Sequence, residues 1–432
     1  MPTGTRLRVS NDPGDHAPAP QAGAASSAAA GTWGLLRANP EFRALTASRL
    51  VSYTGDGLSL VALMLHVAQT TGQALAVAVL LLVGDCVPAL LSPLAGAVAD
   101  RFDRRRAMIV CELVQAALLV LLAAGLPPLP LLLALVGARA VAFGVFAPAA
   151  RAALPTLVGP RDLPAANATL GIATFGAEVA GPLLAAVLLP LAGTRGVLAL
   201  DAVTFTVSAL LLLRLPPLVP GGGSAREPFL ASARDGLAFI RSSRPVRIVV
   251  LGFCAVVAAT GIDDVALLVL ATDTLDAGAS AVGLLLAAVG IGLAGGLVLL
   301  ARLGDRVPMG TLLAAGFLVS SAGNLLTGFA WAVAAAFTVQ AVRGLGIAAM
   351  DVAHTTLLQR LVPDAALGRV FANLHGGIGV AAALSYVAGG LLLDATSART
   401  TFAVSGVAGL LAGLAVALTL PRALAAEAPS AP

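Results

Sequence analysis

The chain has 432 residues, of which 58% are hydrophobic and 11% charged, with a formal net charge of +4, against about 45–50% and about 25% in soluble proteins. That much apolar surface exceeds what one soluble core can hide, and a bilayer is its natural solvent. All of the basic charge is arginine: the absence of lysine excludes a GK[ST] phosphate loop, and arginines scattered between apolar runs, with no basic helix, argue against a nucleic-acid partner.

Residues 1–40 are rich in Pro, Ala, Gly and Ser, lack the apolar stretch of a signal peptide, and are expected to form a disordered cytoplasmic tail. A helix needs about 20 apolar residues to cross the hydrocarbon layer. On that measure twelve spans are predicted, near 44–66, 74–98, 107–126, 129–150, 165–190, 196–214, 246–271, 281–303, 309–329, 332–353, 369–393 and 400–420. They group as a six-helix bundle at 41–214, a cytoplasmic linker at 215–245, a second six-helix bundle at 246–421 and a tail at 422–432. The linker opens with prolines and a Gly/Ser stretch, then becomes a basic amphipathic segment. Cys86, Cys111 and Cys254 form no CxxC pair and share no metal-ligand spacing with the histidines, so neither metal nor cofactor is expected. No nucleophile–base pair suggests an enzyme.

Arginine placement orients the spans. With the amino terminus in the cytoplasm, the cytoplasmic joins and tails hold 21 arginines, while the opposite joins hold only Arg195 and Arg399. Arg49, Arg139 and Arg343 lie inside spans. The halves also repeat. "GARAVAFGVFAPAARAALPTLVGPRDL" is answered by "AVRGLGIAAMDVAHTTLLQRLVPDAAL", which sets Arg139 against Arg343 at an offset of 204 residues. Asp56 in "TGDGLSLVAL" is answered by Asp263 or Asp264 in "TGIDDVALLVL". Repeats of six spans build a central site between two rocking halves in transporters.

After the second span comes "GAVADRFDRRR", and a degenerate "LGDR" follows the eighth. This loop resembles the G-x-x-x-D-R-x-G-R-R signature of the major facilitator superfamily: Gly96, Asp100, Arg101, Arg104 and Arg105 match, and Asp103 stands where glycine is usual. "NPEFRALTASRLVSYTGDGLSLVAL" is similar to the enterobactin-exporter and macrolide-efflux branch of its drug:proton antiporters. "GIATFGAEVAGPLLAAV" keeps Gly176 and Gly181-Pro182 of the glycine-rich antiporter helix but has Ala185 and Ala186 where further glycines are common. The resemblance implies an all-α membrane protein of the major facilitator fold, with about twelve transmembrane helices in two pseudo-symmetric six-helix bundles. It implies a monomer in the cytoplasmic membrane that moves a small amphipathic molecule (a drug, macrolide or siderophore-like compound) in exchange for protons. A proton-coupled nutrient importer and a non-transporting membrane sensor or scaffold are the alternatives.

An ionisable group in mid-span costs about 2.5–3.5 kcal/mol on insertion scales and is a functional candidate by default. Asp56, with Arg139 as the cation that tunes it, is the first candidate for proton coupling, and a fixed structural ion pair is the other reading. Glu178 in the fifth span is a rival proton site. Asp263, Asp264, Arg343 and Asp351 fall in the seventh and tenth spans, which the resemblance places around the cavity. Successive residues point about 100° apart on a helix, so one of Asp263 and Asp264 should face inward, unless both are hydrated near the outer end. Asp85 and Glu112 lie in the second and third spans, and Asp201, near a span end, reads as a helix-terminal or solvated group. Arg49 either lines the cavity or snorkels to the surface. His66, His354 and His375 read as packing residues or proton relays, and Gly292-x-x-x-Gly296 as a packing face. The loop arginines read as a topology anchor, and the resemblance adds a charge latch between the second and eleventh spans, built on Asp100. Asp103 has no role legible in the sequence.

Overall fold

The computed structural model describes residues 34–218, 229–303 and 306–427, with side chains omitted at 89–101, 229–232 and 365. Most of the predicted amino-terminal tail, the Gly/Ser part of the linker, Gly304 and Asp305 of the second loop copy and the last five residues lie outside the described residues, as do the surroundings of Gly96 and the side chains of Asp100 and Arg101.

The described chain is helical: α1 (Pro40–Thr71), α2 (Ala74–Arg101), α3 (Arg104–Gly125), α4 (Leu129–Leu157), α5 (Leu163–Leu212), α6 (Phe229–Ser242), α7 (Arg244–Thr260), α8 (Asp263–Val269), α9 (Ala279–Leu303), α10 (Met309–Thr327), α11 (Val333–Leu361), α12 (Asp364–Ala395) and α13 (Ala398–Glu427). A π-helical turn, Leu270–Thr274, prolongs α8. Ten of these segments are long and apolar enough to cross a membrane. Local chemistry sets their ends. The Asn39 side chain accepts from the Phe42 amide and Pro40 opens α1, which Gly72 closes at φ 64°. In α5, 50 residues would run about 75 Å, more than twice the hydrocarbon thickness. Gly193 breaks it at φ 64°, ψ 177°, a conformation almost reserved for glycine.

Glycines let the helices approach closely where the bundle is tightest. A Cβ on Gly181 of α5 would lie 2.8 Å from the Gly57 Cα of α1. Gly292 and Gly296 seat α9 on Ala341, Leu345 and Ala348 of α11, the packing role expected of them. Large apolar side chains such as Ile172, Leu191, Leu251 and Val380 point outward, where lipid rather than water is their solvent.

Three apolar cores fill the interior, and their distribution positions the site. One, at the end of the bundle where α1 finishes and α2 starts, combines both halves, with Met64, Val77 and Val197 packed together with Leu267, Leu285 and Phe402. Toward the opposite end each half has its own: Phe42, Met108, Phe146 and Leu154 in the first, Val249, Phe253, Phe317 and Leu357 in the second. The halves therefore share a core at one end and keep separate cores at the other.

Candidate functional site: an arginine between two aspartates

α4 carries Arg139 inward, where its side chain is 10% exposed. Its Nη2 lies 2.6 Å from Asp56 Oδ1 of α1 and 3.5 Å from Asp201 Oδ2 of α5. The two carboxylates are not equivalent: the Asp56 side chain is 35% exposed, the Asp201 side chain fully covered. Asp201 also accepts from Thr204 Oγ1 at 2.9 Å, and Gly55 leaves room for both. Placing Asp201 near a span end is therefore corrected. The break at Gly193 starts a new helical segment, so Asp201 sits two turns inside it, facing Arg139.

The second half repeats the pairing. Arg343 of α11 binds Asp263 of α8 at 2.5 Å, and its Nη1 donates to Gln340 Oε1 at 3.1 Å. Gln340 Nε2 donates in turn to Thr327 Oγ1. Of the adjacent aspartates, Asp263 is the one that meets the arginine, and Asp264 beside it is half-buried. A break at Gly261–Ile262 puts both in the first turn of α8, where the helix dipole favours negative charge. They lie inside the span rather than at its outer end.

Around Asp56 lies a cavity of about 400 Å³, walled by α1 to α5. Asp56, Asp85, Gln115, Arg139 and Glu178 are among its polar lining residues, Gln115 and Arg139 buried and Asp85 and Glu178 exposed, with Leu60, Leu63, Val136 and Phe143 among the apolar ones. The structure thus brings Asp56, Arg139 and Glu178 to one chamber, while Asp263, Asp264, Arg343 and Asp351 do not line it. Arg49 is held from within its own helix, donating to Tyr53 Oη at 2.9 Å with its guanidinium over the ring. His354 pairs with the Met350 carbonyl and packs against Phe253 in a tilted contact with ring centroids 4.4 Å apart, a packing arrangement.

At the shared-core end, contacts join the halves. Tyr386 Oη donates to Asp85 Oδ2 at 2.9 Å, and Asp394 at the end of α12 accepts from the Ala74 and Leu75 amides at the start of α2, at 2.6 and 3.1 Å. Ser280 Oγ donates to the Ala186 carbonyl, bridging α9 and α5. Asp394 gave no sequence signal, because its partners are backbone amides 320 residues away. At the other end Arg104 donates to the Ala152 carbonyl and Arg105 to the Leu213 carbonyl, both within the first half. Asp103, unexplained in the sequence, caps α3: its Oδ1 accepts from the Arg106 amide and its Oδ2 from the Leu218 amide, tying the linker back to the loop.

Known proteins agree with this architecture. The chain is 28% identical to the enterobactin exporter EntS of Citrobacter koseri over 89% of its length and 93% of the relative's. It is 26% identical to the uncharacterized MFS-type transporter YfiS of Bacillus subtilis over 88% and 93%. Among solved structures, the nucleoside transporter NupG superposes with a TM-score of 0.75 at 12% identity, covering 88% of this chain and 99% of that one, a likeness of fold alone. The transmembrane secretion effector family matches residues 30–431, nearly the whole chain. A multi-pass helical architecture, paired charges within the membrane and this match along its length make the chain a member of that family within the major facilitator superfamily, a transporter rather than an enzyme.

Proposed function

We propose that the protein is a secondary exporter that moves an amphipathic small molecule outward in exchange for protons, by alternating access in the cytoplasmic membrane. The observation that carries this reading is Arg139 held between a partly exposed carboxylate that lines the cavity and a sealed one. A proton arriving from the cavity reaches Asp56, not Asp201. When Asp56 takes it up, Arg139 keeps Asp201 as its counter-ion, so no guanidinium is left unpaired in low dielectric. The proton can therefore enter and leave while the pair rearranges, which a simple two-group ion pair would resist. Export is favoured by the exporter among the relatives.

In this reading the kink in α5 supplies two crossings and α2 one more, which raises the ten candidate spans to twelve, six in each pseudo-symmetric half. The arginine-rich joins put both termini in the cytoplasm, so the shared core closes the outer face and the chamber opens inward. Rocking of the halves would break the Asp85–Tyr386 and Asp394 contacts and close the other end through the Gly96–Asp100–Arg101 loop, with Arg104 and Arg105 anchoring it. Asp263, Arg343 and Asp351 line the route in that exchange. The test is Asp56→Asn in inverted membrane vesicles energised by a pH gradient. Drug-dependent proton flux should disappear while drug binding persists, and undiminished flux would remove Asp56 from the coupling role.

A further inference from the structure

The chamber's wall is electrostatically one-sided. Asp56, Asp85 and Glu178 face it against a single cation, Arg139, which Asp56 and Asp201 already engage. Among the described residues Glu178 forms no ion pair, and the Asp85 carboxylate has only the Tyr386 hydroxyl; both residues are exposed and so accessible to an occupant. The chain has no lysine to redress the balance. A second observation is independent of charge. Gln115, only 2% exposed, lines the same chamber and has no hydrogen-bond partner among the described residues. A buried amide without a partner leaves hydrogen bonds to be completed by an occupant. The remaining wall is apolar and aromatic, with Phe143 set edge-on to Tyr53 at 5.8 Å.

We infer that the transported molecule is an amphipathic cation, bound with its positive charge toward Glu178 and Asp85, a polar group on Gln115 and its apolar body against Leu60, Val136 and Phe143. In this chamber an anion would face a surplus of carboxylates with no free guanidinium, whereas a cation neutralises them, and aromatic faces add to its attraction. The volume of about 400 Å³ lies within the range of drug-sized sites. This inference rests on the transport reading and narrows its substrate class.

Tetraphenylphosphonium and tetraphenylborate test it, being nearly the same size and opposite in charge. Binding of each radiolabelled ion to the purified full-length protein would be measured by displacement with the unlabelled ion, alongside protonophore-sensitive export from cells expressing the protein. Saturable phosphonium binding without borate binding is expected. Its affinity should fall about tenfold in Glu178→Gln and again in Glu178→Gln/Asp85→Asn, with the variants eluting as folded monodisperse protein. Equal or tighter borate binding, binding of neither ion, or phosphonium affinity unchanged in the double variant overturns the inference. Protonophore-sensitive export of the borate would do so while leaving the transport reading intact. Phosphonium binding without protonophore-sensitive export would instead strike the transport reading.

Discussion

Arg139 serves two carboxylates of unequal burial, and that inequality ranks the consequences of removing each group. Replacing Arg139 by alanine strands Asp201 with no exposure to water, a loss of about 3–5 kcal/mol for a broken buried pair. Replacing Asp56 by alanine leaves Arg139 with Asp201, so the cost should be much smaller. Thermal unfolding of the two purified variants, followed by loss of monodisperse protein on heating, checks the order; equal midpoints would contradict it. How far these roles were legible differs residue by residue. Arg139, Arg343, Asp56 and Asp263 announced themselves as charges in apolar runs, and the internal repeat paired them. Asp201 carries the same signal, but five residues into the span predicted at 196–214 it reads as a terminal group, and only the packing around Arg139 shows it sealed inside. Gln115 could not be read, being defined by a cavity that five helices assemble, and Asp103 only in part: its cap on the Arg106 amide is local, but its hold on the Leu218 amide lies 115 residues along the chain.

The elements show where small residues are obligatory. α1 and α5 meet with Gly57 and Gly181 backbone to backbone, and a Cβ on Gly181 would also come within 2.9 Å of the Thr54 carbonyl. Neither neighbour is a flexible side chain that could swing away. Gly181→Leu should therefore force the two helices apart and pull Asp56 from Arg139, giving little folded protein in the membrane fraction. Gly176→Leu, with open space around its Cβ position, should insert normally. Comparing the yields of the two variants in detergent extracts distinguishes a packing requirement from a general intolerance of bulk in α5. That the chain is helical and repeatedly long enough to cross a membrane was legible from apolar run lengths, because hydrocarbon thickness sets them; ten such helices stand among the described residues, against twelve predicted spans. The break at Gly193 falls in the predicted join between the fifth and sixth spans, whereas the break at Gly261–Ile262, inside the seventh, carries no run-length signal because the apolar run continues through it.

For the whole molecule, the shared core and the two separate cores correspond, in the proposed alternating-access cycle, to one of its two end states. On that proposal the contacts that hold this state are Asp394 on the α2 amides and Tyr386 on Asp85. Asp394→Ala should shift the population toward the state open at the α1–α2 turn, and Asp100→Asn, by weakening the proposed latch at the other end, should shift it the opposite way. A single cysteine in place of Gln73 would report both as faster and slower labelling by a membrane-impermeant maleimide. The same direction of change in both variants would refute the paired-latch arrangement.

The cap on α2 has one more consequence. The first amides of a helix have no partner within it, so the protection of Ala74 and Leu75 from solvent deuterium is set by Asp394, a residue of the other half. Their exchange can proceed only when the halves part at that end. Two amides thus act as a clock built into the backbone, and their deuterium uptake counts openings without a label or a substrate.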